Sequence, residues 1–300
     1  MKLWCALLFV APFFAVAEGA LPDADPLAFV TIAAAGDTVQ MGDGTYGPNV
    51  TQTISYTFDI SKYLITNGEF AAFVADGGYS QETWWTANGW KWKGKRTQPA
   101  YWTSAGFSGP RQPVVGVSWY EAVAFCNWLS AKEGRTPAYD SAGKADLGAS
   151  GYRLPTEVEW EYAAAKGAPD QQERIFPWGD EGDYQRAVTR LARPRPSKTD
   201  VVGARSPLGD TPQGLADMCG NAWEWCSDNY QGDRDIAAAT DRYYFIDDSE
   251  DQRFVQHGGS WVIDFPSGLR TRFRSFSSLP GTRYNVQGFR VVRGAAPATP

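Results

Sequence analysis

Tyr152-Arg153-Leu154-Pro155-Thr156-Glu157-Val158-Glu159-Trp160-Glu161-Tyr162 begins a helix in the middle of the chain. Thr156 supplies an N-cap hydroxyl and Glu159 follows three residues on. Each side chain can then satisfy the other residue's unpaired backbone N–H, the arrangement called a capping box. The same start occurs at Thr66-Asn67-Gly68-Glu69 and at Ser118-Trp119-Tyr120-Glu121. The first helix is expected to run through Phe70, Phe73 and Val74 and to stop at Gly77-Gly78. The second carries Ala122, Val123, Cys126 and Leu129 at helical spacing, a core-facing stripe. The third is expected to end at Lys166-Gly167, with Gly167 as a left-handed C-cap. Short apolar runs broken by Gly, Pro, Asp and Asn separate these helices and read as short strands and long loops. The fold class that follows is α+β, a single domain with much irregular structure.

Composition agrees with a loop-rich, aromatic-cored protein: 31 Gly, 19 Pro and 13 Trp in 300 residues. A net charge of −6 gives no electrostatic reason to expect nucleic acid or an anionic membrane. The N-terminus reads as a secretory signal over residues 1–17. Lys2 precedes the apolar run Leu3–Val16, and Ala15-Val16-Ala17 fits small-residue cleavage. The domain would then occupy 18–300, in a secreted, periplasmic or cell-surface protein without membrane insertion after cleavage. Cleavage would leave Cys126, Cys219 and Cys226. Three thiols cannot all pair within one chain, so no disulfide framework is implied, and a Cys219–Cys226 bridge stays open. Cys126 reads as a small buried hydrophobe.

The order of short blocks is more specific than composition. Ile60-Ser61-Lys62-Tyr63 and Leu64-Ile65-Thr66-Asn67 are followed by Pro113-Val114-Val115-Gly116-Val117-Ser118-Trp119 and then by the Tyr152–Tyr162 block. Phe176-Pro177-Trp178-Gly179, Gly220-Asn221-Ala222-Trp223-Glu224-Trp225, Gly258-Gly259-Ser260-Trp261 and Gly288-Phe289-Arg290 complete the series. Over residues 28 to 293 this order resembles the formylglycine-generating enzyme, or sulfatase-modifying factor, family. The resemblance implies an elaborated C-type-lectin-like fold. It does not settle function, because several chemistries share that scaffold.

The oxidase of that family uses two cysteines shortly after the Gly-Gly-Ser block to hold copper. The matching positions here are Ile263 and Gly268, so no copper is expected. The ergothioneine-type sulfoxide synthases share a tryptophan-rich segment like Gly77–Trp102 and need a histidine cluster on iron. This chain has one histidine, His257, so no iron is expected either. His257, beside Gly258, reads as a loop residue. Trp84, Trp85, Trp90, Trp92 and Trp102 read either as a packed aromatic insertion or as the wall of a ligand cleft. No phosphate-binding Gly-rich loop, zinc-spaced Cys/His set or EF-hand loop occurs. The resemblance does imply a structural calcium ion at the Gly-Asn-x-Trp-Glu-Trp turn. Asp217 and Glu224 would give carboxylates, and Gly220 and Ala222 backbone carbonyls. The other reading of Glu224 is as an acceptor of backbone hydrogen bonds, with no ion.

Between Gly258-Gly259-Ser260-Trp261 and Gly288-Phe289-Arg290 lies Val262–Val286, VIDFPSGLRTRFRSFSSLPGTRYNV, without Lys, Glu, Gln, Met or Trp. Every residue type present can be written by a codon ending in a pyrimidine. Asn codons scrambled only at their adenines would leave this composition. Variable proteins of diversity-generating retroelements, which this chain resembles most, end in such a segment between the same blocks. A ligand site is therefore expected at Val262, Ile263, Asp264, Phe265, Ser267, Gly268, Arg272, Phe273, Ser275, Phe276, Ser277, Ser278, Thr282, Tyr284 and Val286, exposed together. Arg270, Arg274, Arg283 and Pro280 are expected as scaffold, since loops without ladders need side chains to satisfy their backbone. Exposed aromatics beside arginines favour a protein or peptide ligand. The alternative is a catalytically divergent enzyme of the same family.

Overall fold

Each expected capping box is present, and each sets the start of a helix. In the computed structural model, residues 27–42, 49–166, 170, 172–232, 236–274 and 277–294 are described. The chain opens with β1 (Phe29–Ile32), β2 (Asp37–Met41), β3 (Val50–Ile54) and β4 (Phe58–Ser61). Thr66 then caps α1 (Asn67–Ala75), which ends at Asp76 before Gly77 turns left-handed at φ 76°. A short helix not anticipated from the sequence, α2 (Ala87–Lys93), is capped by the Thr86 hydroxyl. Ser118 caps α3 (Trp119–Lys132). β5 (Tyr152–Arg153) leads into α4 (Glu157–Ala165), capped by Thr156. β6 (Trp223–Asn229), β7 (Phe254–His257), β8 (Ser277–Ser278), β9 (Gln287–Gly288) and β10 (Val292–Arg293) follow. The expected signal, Gly167, Ser275 and Phe276 lie outside the described residues. Among the described residues no helix is long and apolar enough to cross a membrane.

The strands pair across large sequence distances. One sheet has the order β1-β4-β10-β5, all antiparallel, so the C-terminal strand is held between an early and a middle one. A second has the order β8-β7-β6-β9, in which only β6 and β9 run parallel. β2 and β3 form a separate pair. Most of the chain is irregular, as expected of an α+β protein with this much Gly and Pro. The aromatic core gathers around α3, where Phe70, Phe73, Phe125, Trp128 and Phe289 interlock. Such ring contacts add to the free energy of burying the rings.

The tryptophan-rich insertion is packed. Trp85 is buried against Phe73 and Tyr79, Trp92 lies against Tyr120, and Trp102 against Phe70. Cys126, Cys219 and Cys226 are all buried free thiols, and no Cys219–Cys226 bridge forms. Burial raises the pKa of each, so they behave as small core residues.

Candidate functional site: a displayed segment and the charged cluster beneath it

α4 is buried at every position, including three glutamates at 0% exposure. A buried carboxylate is costly unless a cation and hydrogen bonds satisfy it, and the chain supplies arginines from distant segments. Glu159 holds Arg153 through two 2.6 Å bonds while its carboxylate also closes the capping box. Glu157 holds Arg274, with Nε at 2.5 Å from Oε1 and Nη2 at 3.1 Å from Oε2. Burial alone would push Glu157 up, but Arg274 and His257 outweigh it and hold its pKa at about 2. Among the described residues Glu161 has no arginine of its own. Burial, and then repulsion from Glu157, push it up to about 8. Asp228, under the same two influences, rises to about 7.

His257 was expected in a loop. It is instead the last residue of β7, fully buried, with its ring stacked on Trp160 at 4.8 Å and 13°. Its Nε2 lies 3.6 Å from Glu157 Oε1 and 3.8 Å from Glu161 Oε1. All four residues of β7 are buried, so the strand carries no alternation of exposed and buried positions to betray it.

The ion pair Glu157–Arg274 ties the Val262–Val286 segment to α4. Other anchors complete the frame. Ile263, Leu269 and Phe273 join Phe176, Cys219 and Trp223 in a small apolar cluster. The Thr189 hydroxyl donates to Ile263 O at 2.7 Å. Pro280 O accepts the Trp119 N–H at the start of α3, and Tyr284 O accepts the Gly116 N–H. Arg283 Nε donates to Gly116 O at 3.1 Å, and its guanidinium lies 3.3 Å from Glu121. Trp261 Nε1 donates to Asn285 O at 3.2 Å, drawing together the two ends of the segment. Arg274, Arg283 and Pro280 thus hold the segment, as expected, and Arg270, expected with them, is half-buried.

The expected set of exposed side chains divides. Asp264, Phe265 and Tyr284 are exposed, Phe265 at 43% and Tyr284 at 57%. Val262, Ser267, Arg272, Ser277, Thr282 and Val286 are half-buried. Arg272 is engaged by Glu173 at 3.1 Å. The expectation of exposure fails for Ile263, Gly268, Phe273 and Ser278, which are buried. The physical reason is that a segment with only a short 3-10 turn (Pro266–Leu269) and β8 needs apolar anchors of its own. Ile263 and Gly268 are also neighbours in space. A Cβ placed on Gly268 would fall 2.5 Å from the Phe265 ring and 3.2 Å from Ile263. The two positions that the resemblance matches to the oxidase's cysteines are therefore packed against hydrocarbon.

The residues expected to hold calcium gather at the turn entering β6, where Asp217 and Asn221 have positive φ. Glu224 receives Arg290 through bonds of 2.6 and 2.8 Å and Trp160 Nε1 at 2.8 Å. Asp217 accepts the Gly203 N–H at 2.7 Å, and burial raises its pKa to about 6. Gly220 and Ala222 are buried in the same turn. Glu224 is an anion already matched by a cation, and its partners are side chains rather than backbone. The two carboxylates that calcium would need are thus taken up by protein donors.

Residues 22–295 match the family described as Sulfatase-modifying factor enzyme 1-like domain. Hercynine oxygenase of Mycobacterium tuberculosis is 32% identical over 251 residues, covering 78% of this chain and 52% of that protein. The chain spans about half the length of the hercynine oxygenases it matches. An inactive C-alpha-formylglycine-generating enzyme 2 of Bos taurus is 29% identical over 304 residues, covering 87% of this chain and 86% of that one. Among solved structures, Treponema denticola variable protein 1 superposes with a TM-score of 0.66 at 25% identity, covering 88% of this chain and 94% of its own.

Proposed function

The chain belongs to the sulfatase-modifying factor enzyme 1-like family, and within it we propose a secreted or surface-displayed, non-catalytic ligand-binding protein whose site is the exposed part of Val262–Val286. The observation that carries this reading is the pairing of two exposed aromatics, Phe265 and Tyr284, with a backbone fixed by buried anchors on both sides. Aromatic side chains are among those that contribute most at binding surfaces. Rigid aromatic contacts also bind with little loss of conformational entropy. The likeness to a protein named for its variability supports the same reading. The ligand is a protein or peptide, since aromatics and arginines dominate such contacts.

A Phe265→Ser, Tyr284→Ser double variant is expected to change unfolding stability by less than about 1 kcal/mol, because surface positions contribute little to the fold. The same variant is expected to lose at least tenfold in binding to any protein captured by the parent chain and identified by mass spectrometry. Unchanged binding would remove Phe265 and Tyr284 from the site. The gene offers a separate test. A nearby near-repeat of the segment's DNA, differing at adenines beside a reverse transcriptase, is the expected signature of diversification.

The catalytic alternative has a definite readout. A cysteine-containing sulfatase peptide incubated with the purified chain, with or without copper, is expected to show no aldehyde by mass spectrometry. Ile263 and Gly268 carry no thiol to bind a soft metal or exchange with substrate. Aldehyde formation would make the protein an enzyme.

A further inference from the structure

We propose that Glu157, Glu161 and His257 form a buried three-ligand site for a divalent cation of the zinc class. One carboxylate oxygen from each glutamate and one imidazole nitrogen lie within 4.8 Å of one another, the one such group among the described residues. His257 Nε2 stands 3.6 Å from Glu157 Oε1 and 3.8 Å from Glu161 Oε1. Two ligands of a tetrahedral ion with bonds of about 2.1 Å sit roughly 3.4 Å apart. The two distances from His257 are within a few tenths of an ångström of that value, and the two carboxylate oxygens, within 4.8 Å of each other, would close by rotation of their side chains over at most about 1.4 Å.

The second observation is independent of that spacing. Among the described residues, both nitrogens of His257 and Oε1 of Glu161 lack a hydrogen-bond partner, although both residues are fully buried. Buried polar atoms of native proteins are nearly always satisfied, and each exception calls for a cause. The gaps of 3.6 and 3.8 Å are too long for hydrogen bonds. One cation between the three side chains would satisfy His257 Nε2 and Glu161 Oε1 together.

The surroundings hold the ligands in place. Trp160 stacks on the imidazole and fixes the ring plane. Glu161 Oε2 accepts the Gly42 N–H at 3.2 Å, which aims Oε1 toward His257. Glu157 and Glu161 are one helical turn apart on α4, so both carboxylates face β7. Partners of this kind orient metal ligands in known sites. Arg274 shares Glu157 Oε1 and opposes a cation, so two carboxylates are needed to outweigh it. A nitrogen ligand with two oxygens suits zinc and its neighbours better than calcium or magnesium. The ion would clamp α4 to β7 immediately before Gly258-Gly259-Ser260-Trp261, the base of the displayed segment.

The full chain, expressed without an affinity tag in zinc-supplemented medium, should retain close to one equivalent of zinc by elemental analysis. Chain made in zinc-depleted medium should melt at a lower temperature. His257 is the chain's one histidine, so its ring signals in an imidazole-labelled NMR spectrum are unambiguous and should differ between the two preparations. Cobalt in place of zinc should give visible absorption bands. His257→Gln should lower bound metal at least tenfold. Glu161→Gln, which keeps shape and the Gly42 contact, should do the same if His257→Gln fails to fold. Less than a tenth of an equivalent of metal, unchanged ring signals, or full metal content in a folded variant would each overturn the proposal.

Discussion

Arg290→Met is expected to lower unfolding stability by about 3–5 kcal/mol, the cost of leaving a buried charge without its partner. Arg290 is fully buried between Glu224 and three backbone carbonyls, those of Ser61, Lys62 and Ala216. Methionine fills much of the volume but donates nothing, so one carboxylate and three carbonyls lose a partner together. A domain of this size shifts by roughly 2–4 °C per kcal/mol. The melting temperature should therefore fall by roughly 6–20 °C. Thermal and chemical denaturation of the purified variant would measure it. The size of the effect follows from position, because Arg290 joins the last strands, the β6 turn and the segment after β4.

Arg274→Ala is expected to cost a similar amount, about 3–5 kcal/mol, by stranding Glu157 in the interior. Glu157 is fully buried and keeps only longer contacts, to Arg242 at 3.4 Å and His257 at 3.6 Å, among the described residues. The loss should be partly recovered in Arg274→Ala, Glu157→Gln, since removing both charges is cheaper than removing one. A coupling of about 0.5–3 kcal/mol in the double-mutant cycle would establish the contact. This substitution also frees the displayed segment from α4. Its effect on ligand binding should thus exceed that of the exposed residues' neighbours, even though Arg274 is out of reach of any partner.

The elements that were legible in the sequence are those specified locally. Thr66, Ser118 and Thr156 with their glutamates mark three helix starts because the capping box spans only a few residues. The ordered blocks likewise gave the fold. What escaped the sequence is long-range. Glu157 meets Arg274 across 117 positions, and Glu224 meets Arg290 across 66. Nothing in either neighbourhood announces the partner. α4 reads as an ordinary acidic surface helix until the arginines arrive, so the buried cluster around His257 had no local signature. Composition set Val262–Val286 apart from the rest of the chain, but it did not tell which of its side chains face water. Ile263 and Phe273 are as apolar as Phe265. Only packing against Trp223 and Phe176, rather than hydrophobicity, separates anchor from display.

The central claim is that the segment is a fixed frame carrying replaceable binding side chains. A display library randomised at Asp264, Phe265, Ser267, Thr282 and Tyr284 alone, with every anchor held constant, measures this in one experiment. Most members are expected to remain folded after a thermal challenge that the parent survives. Sorting against unrelated folded proteins is expected to yield binders whose selectivity follows those positions. Widespread unfolding of the library, or a folded library from which no binder better than the parent emerges, would contradict it.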